Sequence, residues 1–141
     1  MRDHSRNLEK AAMRIEHVAI WTKDLEQLRA FYETYLGAAA NDKYVNPETG
    51  FESYFLTFSS GARLELMHSP AVADKPDRPG IQPVGYAHLA FSVGSKERVD
   101  GLTAELRAAG YTVASAPRTT GDGYYESVVQ DPDGNGVEIT V

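Results

Sequence analysis

The chain has 141 residues, 42% of them hydrophobic and 24% charged, enough for one ordinary domain or two very small modules sharing a core. Lysine and arginine number 14 against 20 acidic residues, a formal net charge of −6, which argues against nucleic acid or an anionic membrane as the main partner. With no cysteine there is no disulfide, no thiolate metal site and no cysteine nucleophile; this says little about compartment beyond permitting the cytosol, and a cytoplasmic location is expected.

Residues 1–13 open with "MRDHSRNLEKAA", a polar run without the apolar core of a secretory signal. They read as a mobile lead-in, with His4 a solvated tail residue, and no stretch of the chain is apolar for long enough to span a bilayer. A strand is expected over 14–21. Asp24 followed by Gln27 resembles a capping pair, and Leu25, Leu28, Phe31, Tyr32, Tyr35 and Leu36 then recur at helical spacing until Gly37 stops the helix. Strands follow over 38–45, 51–59 and 62–68. The segment "PAVADKPDRPGIQP" at 70–83 holds four of the seven prolines and reads as a linker. Beyond it comes a strand over 85–93. Ser95 caps a second helix with Val99, Leu102, Leu106 and Ala109 on its apolar stripe, and Gly110 ends it. Strands over 111–117, 124–130 and 136–141 complete the chain.

The order is therefore β-α-β-β-β, linker, β-α-β-β-β, with module one at 14–69 and module two at 84–141. The two halves align as copies of each other. "HVAI" at 17 lies over "HLAF" at 88, and "GARLELM" at 61 over "GNGVEIT" at 134, which places Glu65 over Glu138. Each copy carries a histidine on its first strand and a glutamate on its last.

Strand alternation gives these four residues a common face. Val18 and Ile20 point one way and His17 the other, beside Ala19; Leu89 and Phe91 oppose His88 and Ala90. Leu64 and Leu66 oppose Glu65, and Glu138 sits between Gly136 and Thr140, opposite Val137 and Ile139. The expected fold is α+β, two βαβββ modules whose mixed sheets curl around a polar, metal-holding cavity. Singly, each histidine reads as a hydrogen-bonded strand residue, and each glutamate as the partner of an arginine such as Arg63 or Arg118. Repeated in register, they read as ligands. Two carboxylates close together repel, and burying them unpaired is costly; a divalent cation resolves both problems. A His₂Glu₂ set suits Ni²⁺, Zn²⁺ or Co²⁺, and also Mn²⁺ or Fe²⁺. His68 falls on the Leu64/Leu66 face and is excluded from the set.

The motifs "EHVAIWTKDLEQLRAFYETYLG", "GARLELMHSP", "GYAHLAFSV" and "QDPDGNGVEI" resemble the vicinal oxygen chelate superfamily, which includes glyoxalase I, over residues 14–141. The resemblance implies paired βαβββ modules around one divalent metal. The metal positions of the glyoxalase I branch match His17, Glu65, His88 and Glu138. That branch, lactoylglutathione lyase, isomerises the hemithioacetal of methylglyoxal and glutathione through a metal-stabilised enediolate, with a metal-side glutamate moving the proton. By resemblance Glu138 is the favoured base, with Glu65 the other candidate. The resemblance also implies a small-molecule substrate and a homodimer, with modules pairing either within a chain or across it.

Other branches leave alternatives open: an epimerase or dioxygenase, or a non-catalytic drug-binding module. Methylmalonyl-CoA epimerases typically carry glutamine where Glu65 stands. Bacterial glyoxalase I enzymes usually place an arginine, for the glutathione carboxylate, where this chain has Trp21. Where an asparagine often follows the second ligand by four, this chain has Ser69.

Overall fold

A computed structural model describes residues 12–76 and 78–141, so most of the expected lead-in, with His4, lies outside the described residues. The first half runs β1 (His17–Trp21), α1 (Leu25–Leu36), β2 (Ala39–Ala40), β3 (Tyr44–Val45), β4 (Glu52–Thr57) and β5 (Arg63–His68). The second runs β6 (His88–Ser92), α2 (Lys96–Ala108), β7 (Val113–Thr119), β8 (Tyr125–Gln130) and β9 (Gly136–Thr140). Each half builds its own mixed sheet, in the orders β1-β5-β4-β2, with β3 also on β4, and β6-β9-β8-β7. In both, the first strand lies parallel to the last and the remaining pairs are antiparallel. The architecture is the expected α+β one, with open sheets rather than a closed barrel.

The helix ends follow from local chemistry. Asp24 Oδ1 accepts from the Gln27 amide at 3.0 Å, and Gly37 takes the left-handed φ of 69° that lets the last turn close. Ser95 Oγ accepts from the Arg98 amide at 3.2 Å; α2 ends at its Ala109 cap, with Gly110 at φ 94° just beyond. One expectation needs correction. The strand expected over 38–45 is two short strands, because Asn41 replaces part of the ladder. Its amide donates to the Phe55 carbonyl at 3.0 Å, while its side-chain oxygen accepts from the Phe55 amide at 2.8 Å.

A single buried cluster spans both halves. Leu28, Phe31 and Tyr32 of α1 and Leu56, Leu64 and Leu66 of the first sheet join Val99 and Leu106 of α2 and Val129, Val137 and Ile139 of the second. Burying each of these side chains contributes about 1.5–3 kcal/mol. The halves meet through aromatic rings, Phe31 against Tyr111 at 4.9 Å and Phe58 against Phe91 at 5.2 Å. Beside them, Tyr32 Oη donates to Asp131 Oδ2 at 2.9 Å in a fully buried bond.

Under α2, Thr103 Oγ1 donates to the Val99 carbonyl at 2.6 Å, which leaves Ser127 Oγ, 2.7 Å away, as the donor to Thr103. Both side chains are buried. Thr103→Val should therefore orphan the Ser127 hydroxyl and cost about 1–3 kcal/mol in urea unfolding. Adding Ser127→Ala should recover most of that loss; a double variant as unstable as the single one would contradict this account.

Candidate metal centre

Strand register places the four sequence candidates in two equivalent pairs. His17 lies opposite Arg63 and Ala19 opposite Glu65, so His17 and Glu65 are diagonal neighbours on one face of a parallel pair. His88 opposite Gly136 and Ala90 opposite Glu138 repeat the arrangement in the second sheet. His17 Nε2 is 3.8 Å from Glu65 Oε1, and His88 Nε2 is 2.8 Å from Glu138 Oε2. The imidazoles are 40% and 43% exposed and each carboxylate 16%, so both pairs lie at an accessible surface of their sheet.

Around His17, Glu16 Oε1 lies 3.6 Å from Nδ1 and the Phe55 ring meets the imidazole edge-on at 5.3 Å. Arg63, one of the arginines named as a partner for an inward glutamate, pairs with Glu16 instead through Nε at 2.9 Å. The Glu16 carboxyl is held below its usual range, chiefly by that hydrogen bond. The Arg63 guanidinium also lies over the Phe55 ring, 4.2 Å from its centroid. His68 turns away from Glu65, with Nδ1 2.9 Å from the Thr22 carbonyl oxygen.

Gly136 controls the room beside His88. A Cβ built there would come within 3.1 Å of the His88 Cβ and 3.3 Å of the Ala87 carbonyl oxygen, neither of which can swing away. Gly136→Ala should thus displace His88 by a few tenths of an ångström and weaken any metal bound through it. The comparison is metal affinity against unfolding midpoint: a loss of affinity with little change in midpoint is expected, and unchanged affinity would contradict it.

One carboxyl was not singled out from sequence. Glu126 on β8 hydrogen-bonds Glu138, and that contact, followed by burial, pushes the Glu126 carboxyl above its ordinary range; Arg118, facing it from β7, acts in the opposite direction. Its signal was in the alternation, since Glu126 shares a face with Val128, which lies opposite Glu138. Among the described residues, no three or more His, Cys, Asp or Glu side chains cluster closely enough to hold a metal ion. The chain carries two His–Glu pairs, and these two pairs do not converge within it.

A family model described as the Glyoxalase/Bleomycin resistance protein/Dioxygenase superfamily matches residues 14–139. The chain belongs to this superfamily. It is 31% identical over 134 residues to the uncharacterized protein YqjT of Bacillus subtilis, covering 89% of this chain and 96% of that one. It is 38% identical over 106 residues to the mitochondrial methylmalonyl-CoA epimerase of Homo sapiens, covering 67% of this chain but only 59% of that longer protein. Among solved structures, the trypanothione-dependent glyoxalase I of Leishmania major matches with a TM-score of 0.70 and 26% identity, over 92% of this chain and 86% of that one. The superfamily is largely enzymatic and its members typically bind a divalent metal. The donor chemistry here fits such an ion: each half offers one imidazole nitrogen and one carboxylate oxygen, and the chain has no cysteine thiolate.

Proposed function

We propose that the protein is a divalent-metal-dependent lyase or isomerase acting on a hemithioacetal or another α-hydroxy carbonyl. Its complete site combines His17 and Glu65 of one chain with His88 and Glu138 of a second copy. The observation carrying this reading is the repeated His–Glu pair, two equivalent half-sets on accessible sheet faces that do not converge within one chain. Two copies related by a two-fold axis would supply two complete sets. The ion, bound by these four residues, would supply Lewis-acid polarisation of the substrate oxygens.

The proton transfer falls to this chain's own groups. Glu138 takes the proton from the carbon bearing the hydroxyl and returns a proton to the neighbouring carbonyl carbon. The hydroxyl proton moves to the former carbonyl oxygen, so the net change is an isomerisation. His17 and His88 offer imidazole nitrogens to the site, and Glu65 adds a carboxylate that favours a bound cation. The likeness to methylmalonyl-CoA epimerase favours a second reading, epimerisation at a carbon beside a thioester carbonyl, which uses the same abstraction of a carbon-bound proton. Turnover assays with methylglyoxal and several thiols, beside a 2-carboxyacyl thioester, separate the two.

Metal analysis tests the ligand set. Glu65→Ala and His88→Ala should each reduce affinity by more than the roughly 10- to 100-fold that loss of an outer partner costs. The loss should deepen at low pH, where protons compete for the imidazoles and carboxylates. Undiminished metal in both variants would sink the assignment. The assembly has its own test: light scattering should find a homodimer across a wide concentration range, and a monomer throughout would refute the shared site.

A further inference from the structure

The face that carries His17 and Glu65 continues into a row of uncharged side chains. Alternation along β1 puts Trp21 on the same side as His17 and Ala19, and Trp21 lies opposite Met67. Met67 lies opposite Ser53, and Ser53 opposite Tyr44, so Trp21, Met67, Ser53 and Tyr44 form one row across the sheet. Phe51, just before β4, closes the row. Its ring meets Trp21 edge-on at 6.2 Å and Tyr44 at 6.1 Å. Ser53 is buried at 4% exposure, while Trp21 and Tyr44 remain 53% and 55% exposed. Glu65 sits in the next row, opposite Ala19 and Phe55, about 7 Å along the strand from this aromatic row.

Charge is segregated along the same face. Arg63, a cation on it, lies opposite His17, four positions along β5 from Met67 on the far side of Glu65, and is held by Glu16. Lys43, next to Tyr44 in sequence, is committed to Glu26 at 3.1 Å and Glu52 at 3.5 Å. Lys75 lines the pocket at the Trp21 end of the row and donates to Asn135 Oδ1 at 3.4 Å, whereas against Tyr44 and Phe51 a carboxylate-bearing substituent would lose its hydration without gaining a counter-ion. A flat apolar group would instead gain edge and face contacts with three rings.

We propose that Trp21, Tyr44 and Phe51 form a specificity wall for a flat, uncharged, aromatic or apolar substituent attached next to the substrate's vicinal oxygens. The wall extends the function proposed above and rests on that reading for its position beside the reacting groups. Any substrate that reaches His17 and Glu65 approaches over this face, and its non-reacting portion lies within one row of the rings.

Trp21 is the single tryptophan, so its fluorescence reports on the wall directly. Benzohydroxamate and acetohydroxamate present the same pair of vicinal oxygens and differ in the aryl group. On Zn²⁺-loaded protein, calorimetry should give benzohydroxamate about a tenfold advantage. That advantage should collapse in Trp21→Ala and in Tyr44→Ala, while acetohydroxamate affinity stays near the wild-type value. Benzohydroxamate should also perturb Trp21 emission in wild-type and Tyr44→Ala protein, at higher concentration when metal is absent. Equal affinities for the two hydroxamates would overturn the wall. So would Trp21 emission that ignores benzohydroxamate but shifts on dilution, since a second copy would then cover the rings. If Trp21 senses benzohydroxamate equally with and without Zn²⁺, and acetohydroxamate does not bind, the wall stands and the metal reading fails instead.

Discussion

Replacing Glu138 by glutamine is expected to lower turnover by about 100- to 10,000-fold while changing substrate affinity less than tenfold, the range for losing a positioned general base. The amide keeps the size of the side chain and a weak oxygen ligand, yet it cannot accept the proton. One Glu138 carboxylate oxygen lies 2.8 Å from His88 Nε2, at the accessible face that carries both side chains. A defect confined to KM would point to lost binding instead. Single-turnover measurements on protein with confirmed metal content separate these cases. Near-normal turnover in metal-loaded Glu138→Gln protein would remove Glu138 from the base role.

The largest stability effect is expected at Asp131, in the turn between β8 and β9. Its side chain is 4% exposed and accepts four hydrogen bonds. Oδ1 takes the amides of Asp133 and Asn135, both at 2.9 Å, and Oδ2 takes Asn135 Nδ2 at 2.8 Å and Tyr32 Oη at 2.9 Å. Asp131→Ala removes the acceptor for the turn that precedes β9 and orphans a tyrosine hydroxyl inside the core. The expected cost is about 3–4 kcal/mol, or roughly 10 °C in Tm. Tyr32→Phe leaves the turn intact and should cost about 1–2 kcal/mol. Tyr32 belongs to α1 and Asp131 to the turn after β8, so this bond also ties the two halves together. Denaturant unfolding followed by far-ultraviolet circular dichroism checks both values; a loss under 1 kcal/mol for Asp131→Ala would contradict the account.

Much of the fold was legible because its determinants are local. The Asp24 and Ser95 caps and the Gly37 stop act within one turn of chain. The common face of His17 and Glu65, and of His88 and Glu138, follows from two-residue alternation combined with the repeat. The break in the strand expected over 38–45 was hidden because it depends on Asn41 meeting Phe55, fourteen residues away. Tyr32 reads simply as a core position of a helix, and nothing local announces a partner as distant as Asp131. Glu126 was overlooked for a related reason: a lone glutamate on a hairpin strand is ordinary until its neighbour across the ladder proves to be a candidate ligand. Module pairing was equally illegible, since a repeat specifies two similar faces without specifying which of them meet.

Subunit mixing tests the shared metal centre most directly. One variant, His17→Ala/Glu65→Ala, lacks the first half-set, and the other, His88→Ala/Glu138→Gln, lacks the second. Each alone should bind almost no Zn²⁺. After dissociation and reassembly in equal amounts, about half of the dimers are mixed, and in each of those one of two sites regains all four native ligands. The account predicts that Zn²⁺ content returns to about a quarter of the wild-type value on mixing. If the wild-type protein binds Zn²⁺ but mixed dimers, verified to have exchanged subunits, recover none, a site shared between two chains is contradicted.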